Sequence, residues 1–299
     1  MIGTSTATAV RRARIEPATL RHLVIIAMSI AWTLVWWGYA TANGHHRDMT
    51  WYAAEPSNLY AGGLAVDGFY GYSPAFFQVL TPLRMLPYEG AVWAWGGLML
   101  GALVIASGRW TPLAIILPPV LGELIISNVH LIYAAAIVLG FRWPWTWSLM
   151  ILTKVTPGIG LLWFAVRREW RQLAIALGVT AAIAAVSFVY APSLWLDWVT
   201  TLAQSAQAPP QPFQPNALFP IPLLVRLPVA ALLIVWGARS DRYWTLPVAV
   251  VIASPVIWTA GLSTLVAVIA LWKGAPTVST LFARNGNSVA ATAVNPSIS

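Results

Sequence analysis

Long apolar runs, separated by short polar or basic segments, make up most of the chain. A membrane-spanning helix needs about 20 predominantly apolar residues, and fewer where the segment is re-entrant. Runs of this kind lie at residues 23–39, 72–86, 90–107, 111–124, 125–140, 143–166, 173–190, 219–238, 244–257 and 258–271. The pattern predicts an all-α integral membrane protein with about ten transmembrane helices, in one polytopic domain over residues 23–272.

The first apolar run has two interpretations. Arginines precede it, and residues 40–42 resemble a cleavage site, as in a secretory signal peptide. However, the run is 17 residues long and much hydrophobic chain follows it. We therefore interpret residues 23–39 as an uncleaved first span and residues 1–22 as a basic cytoplasmic segment.

Composition supports the membrane class. Apolar and aromatic residues make up 59% of the chain and charged residues only 9%, against about 25% charged residues in an average soluble domain. The absence of cysteine excludes disulfide scaffolds, thiolate metal sites and cysteine nucleophiles. The net charge of +8 is scattered between apolar runs rather than gathered on one face, so no nucleic-acid partner is predicted.

The basic residues test the number of spans, because cytoplasmic loops carry an excess of lysine and arginine. If the N-terminus is cytoplasmic, alternation of the spans places 12 of the 17 basic residues inside. Arg47, Arg109 and Arg142 fall outside, and Lys154 and Arg226 fall within spans. The bias predicts a multi-pass cell-membrane protein with both termini in the cytoplasm.

Two segments outside the predicted spans are long enough to carry function, and both are predicted to be extracytoplasmic. Residues 43–71 contain three carboxylates: Asp48, Glu55 and Asp67. Residues 191–216 begin with tryptophans suited to the membrane interface and continue into a proline-rich stretch. Residues 273–299 are mostly small and polar, and we expect them to form a disordered cytoplasmic tail.

Ionisable residues inside apolar runs are the first candidates for function. A cation in the membrane costs about 2.5–3.5 kcal/mol on insertion scales, so it normally faces a partner or a wet cavity. Lys154 precedes Pro157, where local unwinding is tolerated. Arg226 lies among prolines that predict another broken helix, and His130 lies in an otherwise apolar stretch. Together these three could form a cationic pocket for an anionic head group; the alternative is intramembrane hydrogen bonding or snorkelling.

Among the nine carboxylates, Asp48 differs from the rest. It follows two histidines and an arginine directly after the first span, and Trp51 and Tyr52 follow it. Glu123 is predicted near the inner end of a helical hairpin, where a structural hydrogen bond is favoured over a catalytic role. Metal ligands at usable spacing, an Asp-x-Asp pair and a Walker loop are absent from the sequence, so no metal and no cofactor is predicted.

Three stretches together resemble the polyprenol-phosphate-sugar-dependent glycosyltransferases of the GT-C fold, specifically the α-mannosyltransferase-like glycosyltransferase family 87. They are Asp48-Met-Thr-Trp51-Tyr52 with Leu59-Tyr60 and Phe69-x-x-Tyr72-Ser73-Pro74; Ser127-Asn128-Val129-His130 with Thr153-Lys154-Val-Thr-Pro157; and Ser254-Pro255-Val-Ile-Trp258. The resemblance covers residues 48–271. It departs from the family's pattern in the last stretch, where Thr259, Ala260 and Gly261 stand instead of one or two histidines.

The resemblance implies transfer of a sugar, most often mannose, from a polyprenyl-phosphate donor to a lipid or glycan hydroxyl on the outer side of the membrane. It implies an inverting, metal-independent hexosyltransferase with an extracytoplasmic first loop. Asp48 matches the position of the general base. The donor phosphate is assigned to Lys154, Arg226 and His130. The substrate is assigned to five further residues: Trp51, Tyr52, Tyr60, Tyr72 and Asn128.

Two alternatives stay open. A transporter or flippase of lipid-linked sugar also needs a wet cavity and buried cations, but it does not need an extracytoplasmic aspartate. An inactive family relative, binding membrane lipids without catalysis, would also fit the missing late histidine.

Overall fold

The computed structural model describes residues 47–52, 59–60, 71–207, 217–218 and 221–274, together with Val24, Met28 and Ala31. These last three have helical backbone and exposed side chains, and they lie within the first predicted span. The predicted cytoplasmic segment, most of the first span, the proline-rich stretch and the tail from residue 275 lie outside the described residues. Glu55, Asp67 and the side chain of Trp51 lie outside them as well.

The described chain is almost entirely helical. Its α-helices are α1 Arg47–Tyr52, α2 Pro74–Val79, α3 Thr81–Arg84, α4 Tyr88–Ser107, α5 Thr111–Ala114, α6 Pro118–Ile126, α7 His130–Gly140, α8 Trp147–Thr153, α9 Leu162–Val166, α10 Trp170–Tyr190, α11 Pro192–Gln207, α12 Leu223–Arg239, α13 Thr245–Ile252 and α14 Ala267–Leu271. Short 3₁₀ helices cover Gly108–Trp110, Pro144–Thr146, Thr156–Leu161 and Ala260–Val266. Two short strands, β1 Ala217–Leu218 and β2 Ile257–Trp258, pair antiparallel.

Two helical stretches are long and apolar enough to cross a membrane: Tyr88–Ala114, of 27 residues, and Trp170–Tyr190, of 21 residues. Helices α6 and α7 are long and apolar enough to cross only when they are taken together as one span. The chain bends by 112° between them. Within the apolar part of α10, only 11% is buried inside the protein, so this helix presents its side chains to lipid. The helical membrane class is confirmed; the described residues contain two or three candidate spans, and the ten predicted spans are not confirmed.

The predicted second span is replaced by two short helices. Helices α2 and α3 together occupy the 11 residues Pro74–Arg84, which is about 16 Å of helix at 1.5 Å per residue. The hydrocarbon core is about 30 Å thick. Each helix begins with proline in its first turn, because proline lacks the N–H that an interior position needs. This segment is too short to cross the membrane.

The predicted span at residues 143–166 folds back on itself. Trp147, at the start of α8, lies against both Gly140 and Gly160. A Cβ at Gly140 would lie 2.3 Å from Trp147 Nε1, and one at Gly160 would lie 2.4 Å from Trp147 Cη2. Both positions therefore require glycine. Contact between Trp147 and Gly160 means that the chain rises along α8 and returns along the following 3₁₀ helix and α9.

Lys154 stands at the tip of this hairpin, in extended backbone directly after α8. The unwinding predicted before Pro157 is thus confirmed. At the base of the hairpin, the ring of Phe141 packs edge-on against that of Trp163, with centroids 5.8 Å apart. Arg142 and Arg167 therefore lie at the same end of the molecule. The prediction that Arg142 lies on the opposite side was wrong, because an apolar run of sufficient length can turn back instead of crossing.

Two further segments turn in the same way. The α6–α7 pair reverses at Ser127, whose φ of +62° places it in the left-handed region. In the late segment, Trp244 precedes α13 and Trp272 follows α14, yet their ring centroids are only 5.8 Å apart. The α6–α7 hairpin buries Ser127 and His130 at its turn, each only 1% exposed.

The ends of the molecule can be told apart by their contacts. At one end, Arg167 Nη1 donates to Ala238 O at 2.9 Å and to Asp241 Oδ1 at 2.5 Å. Both loops involved are predicted to be cytoplasmic, so this contact agrees with the predicted alternation. At the other end, α11 packs on α2 and α10: Trp195 Nε1 donates to Ser187 Oγ at 2.9 Å. This is the end predicted to be extracytoplasmic.

Candidate functional site

The three hairpins bring their turns together around His130, the first residue of α7. Lys154 Nζ lies 3.4 Å from His130 Nε2. Thr264 Oγ1 donates to the backbone carbonyl of His130 at 3.2 Å. A Cβ at Gly261 would lie 3.3 Å from His130 Nε2, so the late segment passes directly over the imidazole ring. Residues distant in sequence thus converge on one buried histidine.

Glu123 completes the buried part of the cluster from α6. Its Oε1 accepts the backbone N–H of His130 at 2.5 Å, and both carboxylate oxygens lie 3.2 Å from His130 Nδ1. Both side chains are almost fully buried. The left-handed turn at Ser127 makes this contact possible, because it folds the start of α7 back towards the last turn of α6. The structural hydrogen bond expected for Glu123 is present.

The predicted substrate residues Tyr72 and Asn128 meet beside this cluster. Tyr72 Oη donates to Asn128 Oδ1 at 3.3 Å. Asn128 Oδ1 also accepts the backbone N–H of Val129 at 2.7 Å. Trp95 Nε1 donates to Ser127 O at 2.8 Å and thereby supports the turn from α4. The Lys154 ammonium stands 5.6 Å from the centre of the Tyr72 ring, within the range of a cation–π interaction.

The predicted tyrosines pack around Tyr72. The rings of Tyr52 and Tyr72 have centroids 6.0 Å apart, and Tyr60 Oη donates to Tyr72 O at 2.8 Å. Tyr52 and Tyr60 are only 1% and 8% exposed, whereas Tyr72 is half-buried. Of the three, Tyr72 is therefore the one placed to touch a ligand, while Tyr52 and Tyr60 hold it in position.

Asp48 approaches the cluster from α1, which packs against α6. Its carboxylate is half-buried and close enough to interact electrostatically with the Lys154 ammonium and with Tyr72. The structure therefore brings Lys154 and His130 into contact, with the Asp48 carboxylate near enough to act electrostatically on the ammonium. The side chain of Trp51 lies outside the described residues.

Arg226 occupies a different setting. Its guanidinium donates four hydrogen bonds, to the carbonyls of Ile221 (2.8 Å), Ile252 (2.6 Å), Ser254 (2.7 Å) and Pro255 (2.7 Å). These carbonyls lie at or just after the end of α13, or just before α12, where helical partners are missing. Arg226 therefore fixes the Ser-Pro turn.

One prediction about Arg226 is corrected, and its assignment to the donor phosphate stays a prediction. Helix α12 runs without a break from Leu223 to Arg239, with Pro228 inside it, so the predicted interruption is absent. The hydrogen bonds made by the Arg226 side chain go to backbone carbonyls, and none of those described goes to Lys154 or His130. The physical reason is that a guanidinium, with five donors, satisfies several carbonyls at once.

The cluster contains acidic as well as basic groups, whereas a purely cationic pocket was predicted. Within the described residues, two carboxylates, Asp48 and Glu123, face one ammonium, Lys154, and the imidazole of His130. Sequence reasoning missed the role of Glu123 in this cluster. The signal was present, because an acidic residue inside an apolar run normally pairs with another intramembrane polar group. In the described part of the chain, no group of three or more His, Cys, Asp or Glu side chains is arranged to hold a metal ion.

Comparison with known proteins gives one match. The sequence model of glycosyltransferase family 87 matches residues 69–294, which is 226 of the 299 residues. No curated protein and no solved structure matches the chain. The matched segment contains Tyr72, Asn128, His130 and Lys154, while Asp48 precedes it.

Proposed function

Because the chain belongs to glycosyltransferase family 87, we propose that it transfers mannose from a polyprenyl-phosphate donor to a hydroxyl group of a lipid or glycan acceptor. The family supplies the reaction class, which is glycosyl transfer by a membrane protein. The donor, the sugar, the inverting mechanism and the outer side of the membrane are parts of this proposal.

The observation that supports the proposal is the polar cluster around Lys154 and His130, whose side chains lie 3.4 Å apart, with the Asp48 carboxylate near enough to act electrostatically on the ammonium. Glycosyl transfer from a phosphate donor needs a base to take the proton of the acceptor hydroxyl and a cation to stabilise the leaving phosphate. Asp48 and Lys154 are groups of these two kinds. Tyr72 and Asn128 are hydrogen-bonded to each other in the same cluster and offer a flat ring and an amide to a sugar.

The proposed reaction is a single displacement. Asp48 accepts the proton of the acceptor hydroxyl as its oxygen attacks C1 of the mannosyl group. The bond between C1 and the phosphate oxygen breaks, and its electron pair stays with the polyprenyl phosphate. Configuration at C1 is inverted because attack and departure occur on opposite faces. Lys154 neutralises the charge that develops on the leaving oxygen, so this scheme uses no metal ion.

The donor phosphate is assigned to Lys154 and His130, which lie together at the hairpin turns. Arg226 supports the site from a distance by fixing the Ser-Pro turn that leads to Gly261. Tyr72, Asn128 and Trp51 are assigned to the sugar and acceptor. Tyr52 and Tyr60 hold Tyr72.

The outer side of the membrane is favoured by the positions of the charged loops. Gly71, next to Tyr72, accepts a hydrogen bond from Trp198 Nε1 of α11 at 3.5 Å, so the site lies towards the α11 end. The opposite end carries Arg142 and the arginines that surround Arg167, which is typical of a cytoplasmic face.

The test is a donor assay with purified protein in lipid nanodiscs, radiolabelled polyprenyl-phosphate mannose and a membrane lipid extract. We expect label to move to a new product with release of polyprenyl phosphate, and no such product with heat-treated protein or without acceptor. A flippase would instead move labelled donor between the leaflets of proteoliposomes without covalent transfer. Donor binding without any product would identify an inactive relative, and either result would overturn the proposal.

A further inference from the structure

Glu123 is the one carboxylate of the cluster that the transfer reaction does not use. It is 0% exposed and contacts both the backbone and the imidazole of His130. We propose that Glu123 is a positioning residue that holds His130 as the Nδ1–H tautomer, so that Nε2 accepts a hydrogen bond from Lys154 and keeps the ammonium aimed at the donor phosphate. Only the expected kinetic effect of this role rests on the proposed transfer reaction.

The first step concerns the proton on His130. An ionised carboxylate can only accept hydrogen bonds, and both oxygens of Glu123 lie 3.2 Å from Nδ1. Nδ1 must therefore carry a hydrogen. Oε1 also accepts the first N–H of α7, so the carboxylate is anchored at the N-terminus of that helix beside the imidazole.

The second step concerns the opposite nitrogen. An ammonium group can only donate hydrogen bonds, and Lys154 Nζ lies 3.4 Å from Nε2. In the Nδ1–H tautomer, Nε2 has a free lone pair and accepts from Lys154. In the other tautomer two donors would face each other in a buried site. Lys154 thus donates to Nε2 of His130, and Nδ1–H of His130 donates to Glu123, so that the three side chains are linked by hydrogen bonds.

The third step concerns the orientation of the ring. The backbone of Gly261 lies so close that a Cβ there would stand 3.3 Å from Nε2, and the ring of Tyr133 packs edge-on with its centroid 5.5 Å away. Packing therefore fixes the plane of the imidazole. Which nitrogen carries the proton is set by Glu123, and this choice decides whether Lys154 is held or repelled.

The kinetic test compares Glu123→Gln with Tyr133→Phe. The glutamine amide can keep the bond to the backbone N–H, but it then presents an NH₂ donor to Nδ1, which reverses the tautomer. Carboxylates that hydrogen-bond to metal-bound histidines contribute about 10–100-fold to metal affinity or activity. By the same positioning effect, we expect the KM for polyprenyl-phosphate mannose to rise about tenfold in Glu123→Gln.

Tyr133→Phe is the matched control. It removes another buried hydrogen bond between α7 and α8, the 2.6 Å contact of Tyr133 Oη with Thr153 Oγ1. The hydrogen bonds that link Lys154, His130 and Glu123 stay intact. We expect this variant to lose thermal stability without a change in KM. An unchanged KM in folded Glu123→Gln protein, or an equal rise in Tyr133→Phe, would overturn the proposal.

A spectroscopic test does not depend on activity or on the stability of any Glu123 variant. The chain has four histidines, so the triple variant His22→Gln, His45→Gln, His46→Gln leaves His130 as the sole histidine. In ¹⁵N-histidine-labelled protein in lipid, we expect Nδ1 to be protonated and Nε2 to carry the lone pair. A protonated Nε2 with a bare Nδ1 would refute the assignment.

The two tests also separate this inference from the proposed function. If the expected tautomer is found but no sugar is transferred from any polyprenyl-phosphate donor, the proposed function fails and the positioning role of Glu123 stands. If sugar is transferred and the tautomer is reversed, the positioning role fails and the proposed function stands.

Discussion

Lys154 Nζ lies 3.4 Å from His130 Nε2, although the two residues are 24 positions apart and stand on different hairpins. Each residue occupies the turn of a broken helical segment rather than the middle of a continuous span. Irregular backbone at membrane depth is tolerated only where it is buried in protein or lines a wet cavity. The contact therefore marks a region of the described bundle where polar side chains from several broken segments converge.

The ammonium of Lys154 can be tested by Lys154→Met, which keeps the length and apolar stem of the side chain. Loss of the cation removes stabilisation of the leaving phosphate, and we expect kcat/KM for polyprenyl-phosphate mannose to fall about 10²-fold. Lys273→Met, in the segment after α14, is the control and should have no effect. Full activity of Lys154→Met would show that another cation binds the phosphate.

Arg226→Lys tests whether this arginine serves the structure or the donor. A lysine cannot reach the four carbonyls that the guanidinium satisfies. Breaking a buried charged network costs about 3 kcal/mol or more, so we expect a clear drop in melting temperature in detergent. The donor KM of the folded fraction should stay the same. Arg239→Lys, at the exposed end of the same helix, is the control. A stable Arg226→Lys protein with a raised donor KM would instead support the direct phosphate contact expected from the sequence.

Gly261→Ala tests the close approach over His130. The added Cβ would stand 3.3 Å from Nε2 and must displace the imidazole or the late segment. Overpacking of this kind costs about 1 kcal/mol, and we expect a small loss of stability with a several-fold loss of transfer. Gly122→Ala is the matched control, because its Cβ would meet Ala260 Cβ at an ordinary 4.0 Å. Equal activity of both variants would show that the ring has room to move.

Much of the site could be predicted because charges inside apolar runs are costly and therefore few. Lys154 and His130 were found in this way, and the structure brings them into contact. Asp48 was singled out differently, by its aromatic neighbours and its place in the loop after the first predicted span. The paths of the hairpins could not be predicted, because hydropathy reports the length of an apolar run and not its direction. The run at residues 143–166 is long enough to span, yet Trp147 packs between Gly140 and Gly160 and turns it back. The partners of Arg226 could not be predicted either, because they are backbone carbonyls, which leave no pattern in the sequence.

The sidedness of the hairpins can be tested by single cysteines, because the chain has no cysteine of its own. Arg142 and Asp197 are both exposed, on the loop before α8 and on α11. In intact cells, a membrane-impermeant maleimide should label Asp197→Cys and leave Arg142→Cys unmodified until the cells are permeabilised. Labelling of Arg142→Cys in intact cells would restore the crossing span first predicted for residues 143–166. Labelling of Asp197→Cys only after permeabilisation would move the site to the cytoplasmic side.

Asp48→Asn tests the general base, on which the proposed mechanism depends most. Asparagine keeps the size and much of the hydrogen bonding of the side chain, but it cannot accept the proton of the acceptor hydroxyl. General base catalysis contributes about 10²–10⁴-fold, so transfer in the donor assay should fall by about 10² or more. Folding and donor binding should change little, because Lys154 keeps its contact with His130.

Asp197→Asn is the control for this variant, since it removes another carboxylate at the same end of the molecule. The alternatives give different results. A flippase carrying Asp48→Asn would still move lipid-linked sugar, and a purely structural aspartate would lower the melting temperature before it lowered the rate. If well-folded Asp48→Asn protein retains full transfer, the base must be sought at Glu55 or Asp67, the other carboxylates of the first extracytoplasmic segment.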